Sequence, residues 1–170
     1  KIVLSMYKAR QLSPNDAPQV HAMVEELAAN AGIPTPRLYV VDQDSPNAFA
    51  TGRNPENAVV AVTSGIMRIL TPEELRGVIA HEIGHIANRD ILIQSVAAVL
   101  AGVIMMVANM MQWAAIFGFG GDDEEGGTNP FAAILIAILA PIAASLIQMA
   151  ISRSREYLAD STGAQISNDP

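Results

Sequence analysis

The chain has 170 residues, about one domain's length, and 51% of them are apolar against 16% charged. That balance excludes an ordinary water-facing domain, and a net charge of -7 with no cluster of Lys or Arg gives no footing for nucleic acid. Cysteine is absent, which agrees with a reducing compartment.

Residues 1 to 15 carry little pattern beyond Ser13-Pro14, a turn or helix start. From Asp16 or Pro18 to about Asn30, the residues Val20, Met23, Val24, Leu27 and Ala31 form an apolar stripe, and Gly32 is a C-terminal cap. An amphipathic packing helix is expected there, with His21 solvated among charged neighbours. Pro34 and Pro36 end it. Arg37 to Asp42, Asn47 to Thr51 and Ala58 to Thr63 then read as three short strands, the last two joined through the turn-rich Gly52 to Asn57. A small antiparallel sheet is the natural expectation. Its last strand directly precedes the next helices, and an open edge there, at Val60, Ala61 and Val62 with Asn47, could take up a substrate peptide as an extra strand; the equal alternative is that the strand serves only the sheet.

Ser64 to Leu70 is a short helix or turn, and Thr71-Pro72-Glu73-Glu74 starts a longer helix. Thr71 is its N-cap, Pro72 fills the first helical position, and Glu74 completes a capping box. Leu75, Val78, Ile79, Ile83 and Ile86 follow at helical spacing and bury one side. Within this helix His81-Glu82-Ile83-Gly84-His85 sets two imidazoles one turn apart on one face, where they can clamp a metal ion. Glu82 stands beside them as a base for water. Neither proline nor glycine separates Ala87 from Ile91, so the helix is expected to run on, with Asn88 and Asp90 as helix-end polar groups.

Ile91 to Phe117 and Phe131 to Ile151 contain no charged residue, and each is long enough to cross about 30 Å of hydrocarbon as a helix. They predict a transmembrane hairpin. A buried helical pair is the competing reading, given Gln94, Asn109, Gln112, Ser145 and Gln148, but so short a chain has too little other surface to cover two such helices. Trp113, Phe117 and Phe119 suit an interfacial aromatic belt, and Pro141 a kink. The loop 118–130 carries Asp122, Asp123, Glu124 and Glu125 without a base, whereas Arg89, Arg153 and Arg155 flank the spans. The positive-inside rule therefore predicts a cytoplasmic His-Glu helix and an external acidic loop.

Past the second segment comes Arg153-Ser154-Arg155-Glu156-Tyr157-Leu158-Ala159-Asp160. His85 lies six residues before the first apolar segment and Glu156 five after the second, so an antiparallel hairpin would return Glu156 to the depth of His85. His81, His85 and Glu156 would leave a fourth zinc position open for water. Asp160, one turn beyond Glu156, would accept the free ring N–H of His81 or His85. The competing reading pairs Glu156 and Asp160 with Arg153 or Arg155 on a solvated face.

Taken together, HEIGH at 81–85, the hairpin after it, SREYLAD at 154–160 and PNAFATG at 46–52 resemble the HtpX family of bacterial and archaeal membrane zinc endopeptidases, relatives of the CAAX prenyl protease. The likeness covers nearly the whole chain. It implies an α+β, zincin-like catalytic part at 1–90, a transmembrane hairpin inserted at 91–152, and a third-ligand helix at 153–170. It also implies one Zn2+ per chain on His81, His85 and Glu156, with Glu82 as the general base. The implied activity is cleavage of misfolded or damaged membrane proteins at the cytoplasmic face of a bacterial or archaeal inner membrane, in protein quality control. A zinc-dependent protein that binds such clients without cutting them is the alternative. Members of the family usually carry two further spans before the region matching Lys1 and more chain after Pro170, so a fragment is expected.

Overall fold

The computed structural model describes residues 2–117 and 130–168. The expected acidic run Asp122–Glu125 and the ring of Phe119 lie outside the described residues. Two compact units emerge, one from residues 1–93 with 154–170, the other from 94–153.

The first unit opens with a short helix α1 (Ile2–Met6) and a two-residue strand β1 (Arg10–Gln11). Helix α2 (Pro18–Asn30) follows where the apolar stripe predicts it, with Pro18 in its first turn and Gly32 just past its end at φ 67°. Val24, Leu27 and Ala28 are its buried face. His21 is not merely solvated: its Nε2 lies 2.9 Å from the carbonyl oxygen of Leu12, tying α2 to the segment after β1.

Strands β2 (Arg37–Val41), β3 (Ala48–Thr51) and β4 (Val59–Thr63) complete a sheet of order β1-β2-β4-β3. The sheet is mixed rather than antiparallel. β4 runs antiparallel to β3, from Ala48 opposite Val62 to Thr51 opposite Val59, but parallel to β2, from Arg37 opposite Val59 to Val41 opposite Thr63. The hairpin 48–63 is the reason: its second arm inserts between the first arm and β2. β4 is therefore central, and all five of its residues are buried, as its unbroken Val-Val-Ala-Val run befits. The open edge expected at Val60, Ala61 and Val62 does not exist; these residues are 0% exposed, and the outer strands are β1 and β3.

Helix α3 (Ser64–Ile69) starts on Thr63, whose Oγ1 accepts the Ile66 N–H at 3.2 Å. Helix α4 (Pro72–Ala87) has the expected capping box: Thr71 Oγ1 accepts the Glu74 N–H at 3.3 Å, and Glu74 Oε2 accepts the Thr71 N–H at 2.8 Å. Leu75, Ile79, Ile83 and Ile86 of α4 join Val24, Leu27, Leu38, Val60, Val62 and Ile166 in one hydrophobic core. Arg76 of α4 grips Glu26 of α2 through both terminal nitrogens, at 3.0 and 2.9 Å.

The continuous helix expected across 87–91 is broken. Asn88 ends α4, Arg89 takes a left-handed φ of 55°, and helix α5 (Asp90–Phe117) begins anew. In one continuous helix residues five apart point about 140° away from each other, whereas this break turns Asp90 back toward His85. Helix α6 (Pro130–Ser167) holds the second apolar segment and the SREYLAD stretch in one element, with Pro141 inside it.

In the second unit, α5 and α6 are long and apolar enough to cross a membrane. Val99, Leu100, Met106, Met110, Ile138 and Leu146 are all more than half exposed, an apolar surface suited to lipid rather than to a buried core pair.

Candidate metal centre

The capped, core-packed α4 fixes His81 and His85 one turn apart on a single face. Their Nε2 atoms lie 3.0 Å apart and their rings meet edge to face, with centroids separated by 4.7 Å. Glu156 of α6 joins them: its Oε2 is 3.5 Å from His81 Nε2 and 3.8 Å from His85 Nε2.

Each ring is held from behind by a carboxylate. His81 Nδ1 is 2.7 Å from Asp160 Oδ1, and His85 Nδ1 is 2.7 Å from Asp90 Oδ2. A carboxylate at Nδ1 selects the tautomer that carries its proton there, which leaves the Nε2 lone pair free. The two Nε2 atoms and the Glu156 carboxylate thus lie close together, a set that could hold a metal ion. The spacing suits zinc: donors about 2.1 Å from one ion at tetrahedral angles stand about 3.4 Å apart, close to the separations of 3.0, 3.5 and 3.8 Å here. The residues therefore fit a three-ligand site with one position open.

Small residues let α6 come close enough. A Cβ on Gly84 would stand 2.9 Å from the Ala159 carbonyl oxygen, and one on Gly163 would stand 3.1 Å from the His81 backbone nitrogen. Asn88 Nδ2 donates to Thr162 Oγ1 at 3.1 Å, and Asn30 Nδ2 donates to the Ile166 carbonyl at 2.8 Å. These contacts bring Glu156 and Asp160 to the histidines within the first unit.

Glu82 is half-buried on the side of α4 that faces β3, and its Oε2 accepts the Ala50 N–H at 2.7 Å. Burial pushes its carboxyl above the usual range; the Ala50 hydrogen bond and the neighbouring histidines pull it back in part, and Glu156 adds to the rise. The Ala50 amide belongs to the open edge of β3. Thr63 donates its N–H to the Asn47 carbonyl, so by antiparallel alternation Phe49 and Thr51 also turn toward β4, while Ala48 and Ala50 turn outward. Asn47 is exposed at the start of that strand.

Beyond the other end of β3 a shallow open pocket adjoins His85, lined by Thr51, Gly52, Pro55, Ala58, Ile86 and Leu92 among others. Sequence reasoning missed Asp90 and Ala50. Asp90 is invisible to helical spacing because the chain must break before it can face His85. Ala50 contributes only its backbone, which leaves no residue-type signal.

A model of peptidase family M48 matches residues 14–170. The chain is 60% identical, over its full length, to a protein named Protease HtpX homolog from Syntrophobacter fumaroxidans, of which it covers 61%. It is 61% identical over its full length to a protein of the same name from Persephonella marina, covering 59% of it. With the one from Pyrococcus furiosus it shares 62% identity over 99% of this chain and 58% of that protein. The chain thus spans about three fifths of the length of these relatives.

Proposed function

Because the chain belongs to peptidase family M48, we propose that it is the catalytic portion of a membrane zinc endopeptidase with His81, His85 and Glu156 as ligands and Glu82 as general base. The observation that carries this reading is the convergence of the two Nε2 atoms and the Glu156 carboxylate, all within 4.8 Å of one another, with Glu82 alongside. Zinc held there supplies Lewis acidity toward a carbonyl oxygen and toward water. Glu82 takes the proton of the attacking water on its carboxylate and passes it to the leaving amine nitrogen. Its partial burial makes it a stronger base than an exposed carboxylate, which suits it to taking the proton from water.

Asp160 holds the His81 ring, fixing which nitrogen faces the metal position. A substrate in extended form pairs with the outward groups of β3, next to Glu82, and Asn47 lies at one end of that edge. The substrates are misfolded or damaged membrane proteins, cut at the cytoplasmic surface in quality control. Two apolar helices and the arginines that flank them support that location.

The test uses the complete membrane protein in detergent with an unfolded test protein, comparing the parent with Glu82→Gln at equal measured zinc content. Cleavage by the parent alone is expected. Equal cleavage by both would remove Glu82 from its role, and none by either, with zinc bound, would leave a client-binding protein.

A further inference from the structure

The mechanism above makes no use of Asp90, yet it is the most deeply buried charged residue among those described, at 1% exposure. An ionised carboxylate is not held so deep without partners. Two such partners lie on different elements. Oδ2 accepts the Nδ1–H of His85 at 2.7 Å, and Oδ1 faces the Arg155 guanidinium at 3.5 Å. Arg155 immediately precedes Glu156 on α6. Its Nε is buried without a hydrogen-bond partner, so the side chain is kept in place at the expense of an unsatisfied donor. The left-handed Arg89 supplies the turn that sends Asp90 back to α4.

One carboxylate therefore touches a metal-ligand ring with one oxygen and, with the other, the residue beside a second ligand. We propose that Asp90 and Arg155 form a positioning pair that fixes the His85 tautomer and holds Glu156 against α4, so that the ligand set is assembled before metal arrives. The pair acts on metal retention, not on the chemical step, and the inference rests on the metal centre proposed above. Asp160 differs from Asp90: it orients His81 from α6 itself and is exposed.

The test is competition for zinc between a chromophoric chelator and the full-length protein, read as affinity and independent of cleavage. Asp90→Ala and Arg155→Met are each expected to weaken zinc binding by about 10- to 100-fold, the usual effect of losing the group behind a ligating histidine. Asp90→Ala combined with Arg155→Met should lose less than the sum of the two single losses, because removing both charges leaves neither buried alone. Asp160→Asn combined with Arg155→Met should instead be additive. Helical content and melting temperature of each metal-free variant show whether it is folded; if Asp90→Ala unfolds, the isosteric Asp90→Asn carries the comparison.

Folded Asp90 and Arg155 variants with parental zinc affinity would overturn the proposal and leave the peptidase reading standing. Additivity of the Asp90 and Arg155 changes would also overturn it. Loss of cleavage in the parent, with the non-additive pattern of zinc affinity intact, would remove the peptidase reading and leave the pair in place. A parent that binds no zinc would overturn both.

Discussion

Gly84 of α4 lies against Ala159 of α6 so closely that a methyl group on the glycine would stand 2.9 Å from the Ala159 carbonyl oxygen. The atom in the way is backbone and cannot swing aside. Gly84→Ala should therefore push α6 off α4, separate Glu156 and Asp160 from the histidines, and cost about 1–3 kcal/mol of stability as overpacking does. Thermal melts and zinc titration check this, and loss of zinc affinity without loss of helical content is the expected outcome. Gly163→Ala meets the His81 backbone at 3.1 Å, a milder conflict, and should show the same effect more weakly.

Removing the Ala50 amide isolates its contribution to Glu82. An outward-facing amide on an edge strand is where proline is tolerated, so Ala50→Pro should leave the sheet folded while deleting the 2.7 Å hydrogen bond to the candidate base. We expect zinc content to stay at the parental level and turnover to fall at least tenfold, measured on the same unfolded substrate. Unchanged turnover would show that Glu82 needs no anchor on β3.

Glu26 and Arg76 join α2 to α4, and the hydrogen bonds and charge of Arg76 hold the Glu26 carboxyl below its ordinary value of 4.5. A depressed carboxyl stabilises the folded state above its unfolded value and loses that contribution as pH falls through its folded value. Denaturation of the parent and of Glu26→Gln should therefore differ at neutral pH and converge as the solution is acidified below 4.5. Raising the salt concentration at neutral pH should shrink the same difference, since the pair is solvent-exposed.

The capping box at Thr71 gives a control remote from the candidate metal site. Thr71→Ala removes the oxygen that accepts the Glu74 N–H, and about 1 kcal/mol of stability should go with it. Chemical denaturation monitored by circular dichroism would record the loss. Zinc affinity of the folded protein should not change, because Ile79 and Ile83 still seat the histidine-bearing turns in the core.

Features governed by local chemistry could be read directly from the residues. The stripe Val24, Leu27 and the Thr71–Glu74 box mark α2 and α4, and the i, i+4 spacing of His81 and His85 gives their shared face. Features governed by nonlocal pairing could not. The central position of β4 depends on β2 returning beside it, which nothing within Val59–Thr63 encodes apart from the unbroken apolar run. β1 is two residues long, too short for any periodicity. The break at Arg89 uses an arginine where a left-handed residue is usually glycine or asparagine, so no punctuation announced it. With the break hidden, Asp90 read as a helix end rather than as the partner of His85.

The placement of Glu82 against Ala50 also bears on how an exposed sheet margin avoids unwanted company. β3 is only four residues long, and of its outward amides the one on Ala50 is already engaged by a carboxylate. Free strand margins recruit other chains into growing sheets when they are long, flat and unoccupied. This one is short, and a negative charge sits across it, so a second copy of the protein finds little to grip. A lone extended segment needs far less length than a sheet does, so the same margin can hold a transient guest and still be a poor seed for aggregation.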